Sequence, residues 1–189
     1  NYFDVFKATN AGSKEHIWAV PYDFKYGQGF NLVQMTLHYG SQDTYKLQQQ
    51  PWNGYCSLED FYNSYDPADK RRKNNFVAGP QFKLDGVTPV TDASFEANDP
   101  DGINLNFTPH VNELAPNALR QAGARLGKYE FAIGATPNLD NDFPIFRYAD
   151  VLMMKAEALF NTNGYGDAAG QALVAQVQAR TGVTLAPAN

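Results

Sequence analysis

The sequence predicts a mainly α fold, with a helical hairpin at the C-terminus and a long loop-rich region that carries a few short strands. Three observations predict it. Residues 147–161, RYADVLMMKAEALFN, and residues 167–180, DAAGQALVAQVQAR, both carry the helical period, and the Gly-containing TNGYG joins them into an αα-hairpin. Residues 76–139 are punctuated by Gly, Pro and Asp and hold no durable period, which reads as loops and short extended pieces. Between the N-terminus and that stretch, periodic runs are short. The chain therefore divides into a loop-rich region, 1–142, and a helical hairpin, 143–182, within one compact unit.

Taken in order, residues 2–8 read as the end of a helix, broken by Asn10-Ala11-Gly12. EHIWAVPYDF reads as a strand rich in Ile, Val and aromatics and stopped by Pro21, with Trp18 assigned to the core. FNLVQMTLHY suits either a strand or one helical turn. LEDFYNSY, residues 58–65, suits a short helix with Ser57 as N-cap and Asp60 at the third position. DKRRK, residues 69–73, is most simply a solvated turn, with the option of anchoring an acidic partner.

In the first hairpin helix, Tyr148, Val151, Leu152, Ala158 and Leu159 share one face. Asp150 and Glu157 lie opposite, near Met153 and Met154. Arg147 and Asp150, three apart, can pair along the first turn, where Asp150 also meets the positive end of the helix dipole. Glu157 needs a cation, for which Arg180 is the candidate, and the Lys155 stem must run along apolar surface. In the second helix Leu173, Val174 and Val177 form one stripe. Ala168, Ala172, Ala175 and Ala179 form another, and small side chains let a neighbouring helix approach. These readings give Arg147, Asp150 and Glu157 structural work and no chemistry.

Composition excludes several functions. A net charge of −5 without a compensating basic face argues against nucleic acid. Cys56 is the sole cysteine, so no internal disulfide can form and a thiol-rich metal site is excluded. His16, His38 and His110 lack metal-type spacing, and NDPDG and NLDNDF lack the glutamate that closes an EF-hand loop. No nucleophile elbow or phosphate loop is present, and no apolar run is long enough to span a membrane. Hence no catalytic residues, metal or cofactors are expected. The N-terminus has neither Met nor signal-type regions and reads as the interior of a longer precursor, any export signal or lipid anchor lying upstream.

One stretch mixes flat aromatic rings with amides. LHYGSQDTYKLQQQPWNGYC, residues 37–56, holds Tyr39, Tyr45, Trp52 and Tyr55 beside Asn53 and several glutamines. Aromatic faces cover the C–H side of pyranose rings while amides and carboxylates take the hydroxyls, so this is the candidate binding surface. Packing of Trp52 and Tyr55 onto the scaffold is the competing reading.

FPIFRYADVLMMKAEALF, residues 143–160, resembles the C-terminal signature of the SusD/RagB family, close to P-I-x-R-Y-A-D-V-L-L-M-x-A-E-A. Pro144, Ile145, Arg147, Tyr148, Ala149, Asp150, Val151, Leu152, Met154, Ala156, Glu157 and Ala158 match, as do Gly164, Ala168, Val177, Arg180 and Gly182. Gln178, Ala175 and Thr181 depart from the pattern. EHIWAVPYD, the PWNGYC-to-DKRR segment and GARLGKYE are similar to further family pieces in the same order. The resemblance implies a SusD-like fold with a tetratricopeptide-type hairpin, of which this chain is a C-terminal portion. It implies non-catalytic binding of oligosaccharides or polysaccharides at the outer-membrane surface, on a lipid-anchored protein, for delivery to a SusC-like TonB-dependent transporter. Peptide import of the RagB type and a helical-repeat protein scaffold are the alternatives, with a glycoside hydrolase behind them. On this reading Tyr39, Tyr45, Trp52, Asn53 and Tyr55 contact the ligand.

Overall fold

The computed structural model describes residues 2–111 and 118–183. After a 3-10 turn at Tyr2–Phe6 come β1 (His16–Val20), α1 (Leu32–Thr36), α2 (Ser41–Tyr45), α3 (Glu59–Asn63) and α4 (Lys70–Asn75). Then follow β2 (Phe76–Val77), β3 (Gly79–Pro80), β4 (Asn106–Phe107), β5 (Arg125–Leu126), β6 (Phe143–Arg147), α5 (Tyr148–Asn163) and α6 (Ala168–Gln178). Only α5 and α6 exceed two turns among the described residues, because only there does the helical period persist. The strands pair antiparallel in two-stranded sheets, β1 with β6, β2 with β5 and β3 with β4.

The loop-rich part is held by three small cores. Val33, Leu37, Leu47, Phe131 and Leu139 form one, behind the aromatic loop. Val5, Phe6 and Tyr129 form a second, with Phe30 edge-on to Tyr129 at 4.8 Å. Val90, Leu105 and Phe107 form the third. Between them, buried amides replace regular ladders. Asn10 donates to the Val5 and Asp142 carbonyls at 2.8 and 2.9 Å and accepts the Asp142 N–H at 2.7 Å. Buried backbone groups that no sheet pairs must find such partners.

Several local expectations change. Residues 143–147 are not helical: they form β6, because β1 offers a partner edge and Pro144 sits on a strand with only one neighbour. Trp18 is not core; at 61% exposure it stacks on Phe146 at 6.2 Å on an open face of that sheet. Ser57 does not cap α3. Its N–H is drawn into a bridge with Ala124 at 2.7 Å and its hydroxyl donates to Leu58 O, so Leu58 takes the cap position. DKRRK is a helix and not a turn, since the Asp69 carboxylate accepts the Arg71 N–H at 2.8 Å and so caps α4.

On α5 the buried side chains are Ala149, Leu152 and Ala156, while Tyr148 and Val151 stay exposed. The hairpin closes at Gly170, where an added Cβ would lie 2.5 Å from the Phe160 ring, and not along the alanine stripe, which is exposed. Arg147 and Asp150 do the expected work: the Arg147 N–H donates to Asp150 Oδ2 at 2.8 Å, and the side chains lie 3.5 Å apart. Glu157 is exposed and does not meet Arg180. Arg180 instead holds both oxygens of Glu15 at 3.0 Å, fastening the end of α6 beside β1. Lys155 is likewise exposed, because the face it occupies has no covering element among the described residues.

Candidate functional site

The aromatic loop is built on α1. When that short helix ends at Leu37, its last carbonyls have no helical partners, and residues 52–55 supply them. Trp52 N–H donates to Gln34 O at 2.7 Å and Asn53 N–H to Leu37 O at 2.9 Å. Gly54 and Tyr55 N–H both reach Met35 O at 2.7 Å. The approach demands glycine: a Cβ on Gly54 would stand 2.7 Å from Met35 O. Asn53 takes a left-handed φ of 56°, which Asn tolerates better than other side chains.

On that frame, the five sequence-derived residues divide. Trp52 and Tyr55 are 52% and 48% exposed, a large apolar area held by a backbone that cannot easily move. Tyr39 is half-buried, with the Arg120 guanidinium over its ring at 4.8 Å. Asn53 donates through Nδ2 to Arg120 O at 2.8 Å, so Tyr39 and Asn53 meet around one residue. Tyr45 faces the other way, edge-on to Phe131 at 5.3 Å against the first core, and burial pushes its hydroxyl pKa up.

Arg120 and Asp92 were beyond sequence reasoning, since both lie far along the chain from Tyr39, and nothing in the sequence shows that His38, beside Tyr39, turns inward to meet them. Arg120 Nε donates to Asp92 Oδ2 at 2.9 Å, and His38 Nε2 lies 3.1 Å from the same oxygen. Burial pulls the Asp92 carboxyl up, but the Ser94 N–H and the Arg120 guanidinium outweigh it and hold the group below the usual carboxylate range. His38 is fully buried; its Nδ1 accepts the Gly40 N–H, which leaves Nε2–H to face Asp92. Burial pushes its pKa down to about 4, against the pull of Asp92 and with the help of Arg125 and Arg120. Arg125, buried beneath, donates to Arg120 O at 3.0 Å and lies over Phe107 at 4.9 Å. Burial lowers it to about 10, so it stays charged at neutral pH.

The histidine carries a pH prediction. Between about pH 6.5 and 4 the unfolded chain binds a proton at residue 38 that the folded chain refuses, so stability falls as pH falls through that window. The expected loss is at most about 3 kcal/mol, read from urea midpoints between pH 7 and 4. His38→Gln should flatten that slope.

No cluster of three or more metal-ligating side chains exists among the described residues, and no described helix is long and apolar enough to cross a membrane.

Comparison with known proteins places this arrangement. Residues 120–189 match the family model described as the SusD family. No curated protein matches the sequence. The fold matches a SusD superfamily protein from Parabacteroides distasonis at 19% identity and a TM-score of 0.66, covering 100% of this chain and 36% of that one. It also matches surface glycan-binding protein A from Bacteroides thetaiotaomicron at 22% identity and a TM-score of 0.63, over 98% of this chain and 39% of that one. The complex of that protein with laminarihexaose matches at 23% identity and a TM-score of 0.63, over 100% and 40%. The chain thus spans well under half the length of these structures. Residues 120–189 carry the sequence pattern of the SusD family, and the chain has the SusD fold over part of that fold's length.

Proposed function

We propose that the protein binds oligosaccharides or polysaccharides at the cell surface, without turnover, for delivery to a SusC-like TonB-dependent outer-membrane transporter. The observation that carries this reading is the exposed pair Trp52 and Tyr55, fixed by four backbone hydrogen bonds beside Tyr39 and Arg120. Rigid rings that need not be ordered on binding cost less entropy, and they offer sugar C–H faces a flat apolar partner. The guanidinium of Arg120 and neighbouring amides take hydroxyls. Two of the matching structures are named surface glycan-binding protein A from Bacteroides thetaiotaomicron, one of them with laminarihexaose bound.

Non-catalytic binding fits the acids that border the surface. A glycosidase acid needs a raised pKa. Asp92 is instead held low by Arg120 and Ser94, and Glu96 accepts the Arg120 N–H. On this reading residues 1–142 carry the ligand and residues 143–182 form one layer of a tetratricopeptide-type stack. The chain is then a C-terminal portion of a SusD-like protein, lipid-anchored to the outer membrane through an upstream N-terminus.

Isothermal titration against soluble polysaccharides and oligosaccharides, laminarihexaose included, tests the reading. Micromolar to millimolar binding of one glycan class, with no release of reducing ends, is expected. Silence across all glycans alongside binding to a peptide library would replace it with peptide import.

A further inference from the structure

The basic run of residues 70–73 has no part in the surface around Trp52. On α4 it borders a groove of about 590 Å³ whose walls include Tyr62, Pro67, Arg72, Lys73, Phe76 and Val77. That volume lies within the ~300–1,000 Å³ typical of small-ligand sites. Among the described residues no acidic side chain lines it, although the chain as a whole is acidic.

The nearby carboxylates are occupied elsewhere. Asp69 caps α4 and binds Arg71 at 2.6 Å, so it neutralises Arg71 and not its neighbours. Asp66 accepts the Ala68 N–H at 2.7 Å. Arg72 lies over the Tyr62 ring at 4.3 Å and spends one donor on Asn63 Oδ1 at 3.0 Å. A guanidinium has five N–H donors, so most remain for a ligand. Lys73 is exposed, and neither Arg72 nor Lys73 has a carboxylate within ion-pair distance among the described residues. The tyrosine ring supports the Arg72 guanidinium, and the Tyr62–Phe76 edge contact at 5.3 Å makes the adjoining wall apolar.

We infer that this groove is a second saccharide subsite, selective for sugars that carry an anionic group, a uronate carboxylate or a sulfate ester. Arg72 and Lys73 take the anionic oxygens, and the Tyr62, Pro67 and Val77 walls take the ring. A planar guanidinium beside a mobile ammonium suits an anionic oxygen group better than neutral hydroxyls do. The inference rests on the glycan-binding reading and adds the charge class of the ligand.

The test titrates the protein with oligogalacturonate, a chondroitin sulfate oligosaccharide, neutral laminarihexaose and oligoglutamate. At least one acidic saccharide is expected to bind, to weaken about tenfold or more in R72Q/K73Q, and to weaken further with added NaCl. The charge-matched K14Q/K155Q variant, altered at exposed lysines away from the groove, should bind like wild type. Equal weakening in both variants, or no binding of either acidic saccharide, overturns the inference. Should neutral glycans bind while acidic ones do not, only the inference falls. Should oligoglutamate bind and no saccharide do so, the glycan reading falls with it.

Discussion

Phe107→Ala is expected to destabilise the fold by about 3–5 kcal/mol and lower Tm by roughly 10 °C. The side chain is fully buried in the core with Val90 and Leu105, and it also supports polar groups. The Arg125 guanidinium lies over its ring, and the His38 ring is 6.4 Å away. Removing the ring opens a cavity directly under a buried cation that no described carboxylate neutralises. Water then enters beside Arg125, which holds Arg120 O, the carbonyl that also receives Asn53 Nδ2. The damage therefore reaches the aromatic loop, and glycan affinity should fall even where the variant remains folded. Phe107→Leu, which keeps most of the volume, should cost less. Denaturant titration of the two variants measures the difference, and equal losses would mean that the ring volume is not what matters.

Gly123→Ala is expected to cost about 2–4 kcal/mol. Two independent causes act at this position. Its φ of 90° lies in the left-handed region that favours glycine. A Cβ there would also stand 2.5 Å from both Cβ and Sγ of Cys56. Gly123 precedes the Ala124 carbonyl that receives Ser57 N–H, so the strain is passed to the segment that ends the aromatic loop. Cys56→Gly in the same chain removes the clash but leaves the backbone strain, and it should restore part of the loss. Thermal unfolding of the single and double variants separates the two causes.

How much of this was legible in the sequence depends on range. The hairpin helices could be read because their signals are local: a repeating period, Asp150 three residues after Arg147, and Gly164 at the turn. The face that α5 buries could not, since it is decided by where Phe160 meets Gly170 across the hairpin. Sequence offers Arg180 as the cation for Glu157, because both lie on the hairpin. The actual partner, Glu15, lies 165 residues from Arg180 and sits there because β1 pairs with β6. The loop residues were recognisable by type, as aromatic rings among amides, but their directions were not. Whether Tyr45 turns inward and Trp52 outward follows from which carbonyls of α1 lack partners, a property of the folded chain. Arg120, the residue that gathers Tyr39 and Asn53, carries no sequence mark at all.

The most direct measurement is glycan affinity of Trp52→Ala against wild type, using whichever oligosaccharide the wild-type protein binds. The substituted side chain is half exposed and its backbone hydrogen bond to Gln34 survives, so Tm should stay within a few degrees. Affinity is expected to drop about 30-fold or more, the loss of about 2 kcal/mol that marks an aromatic anchor. Unchanged affinity with an unchanged Tm would contradict the assignment of this loop as the glycan-binding surface.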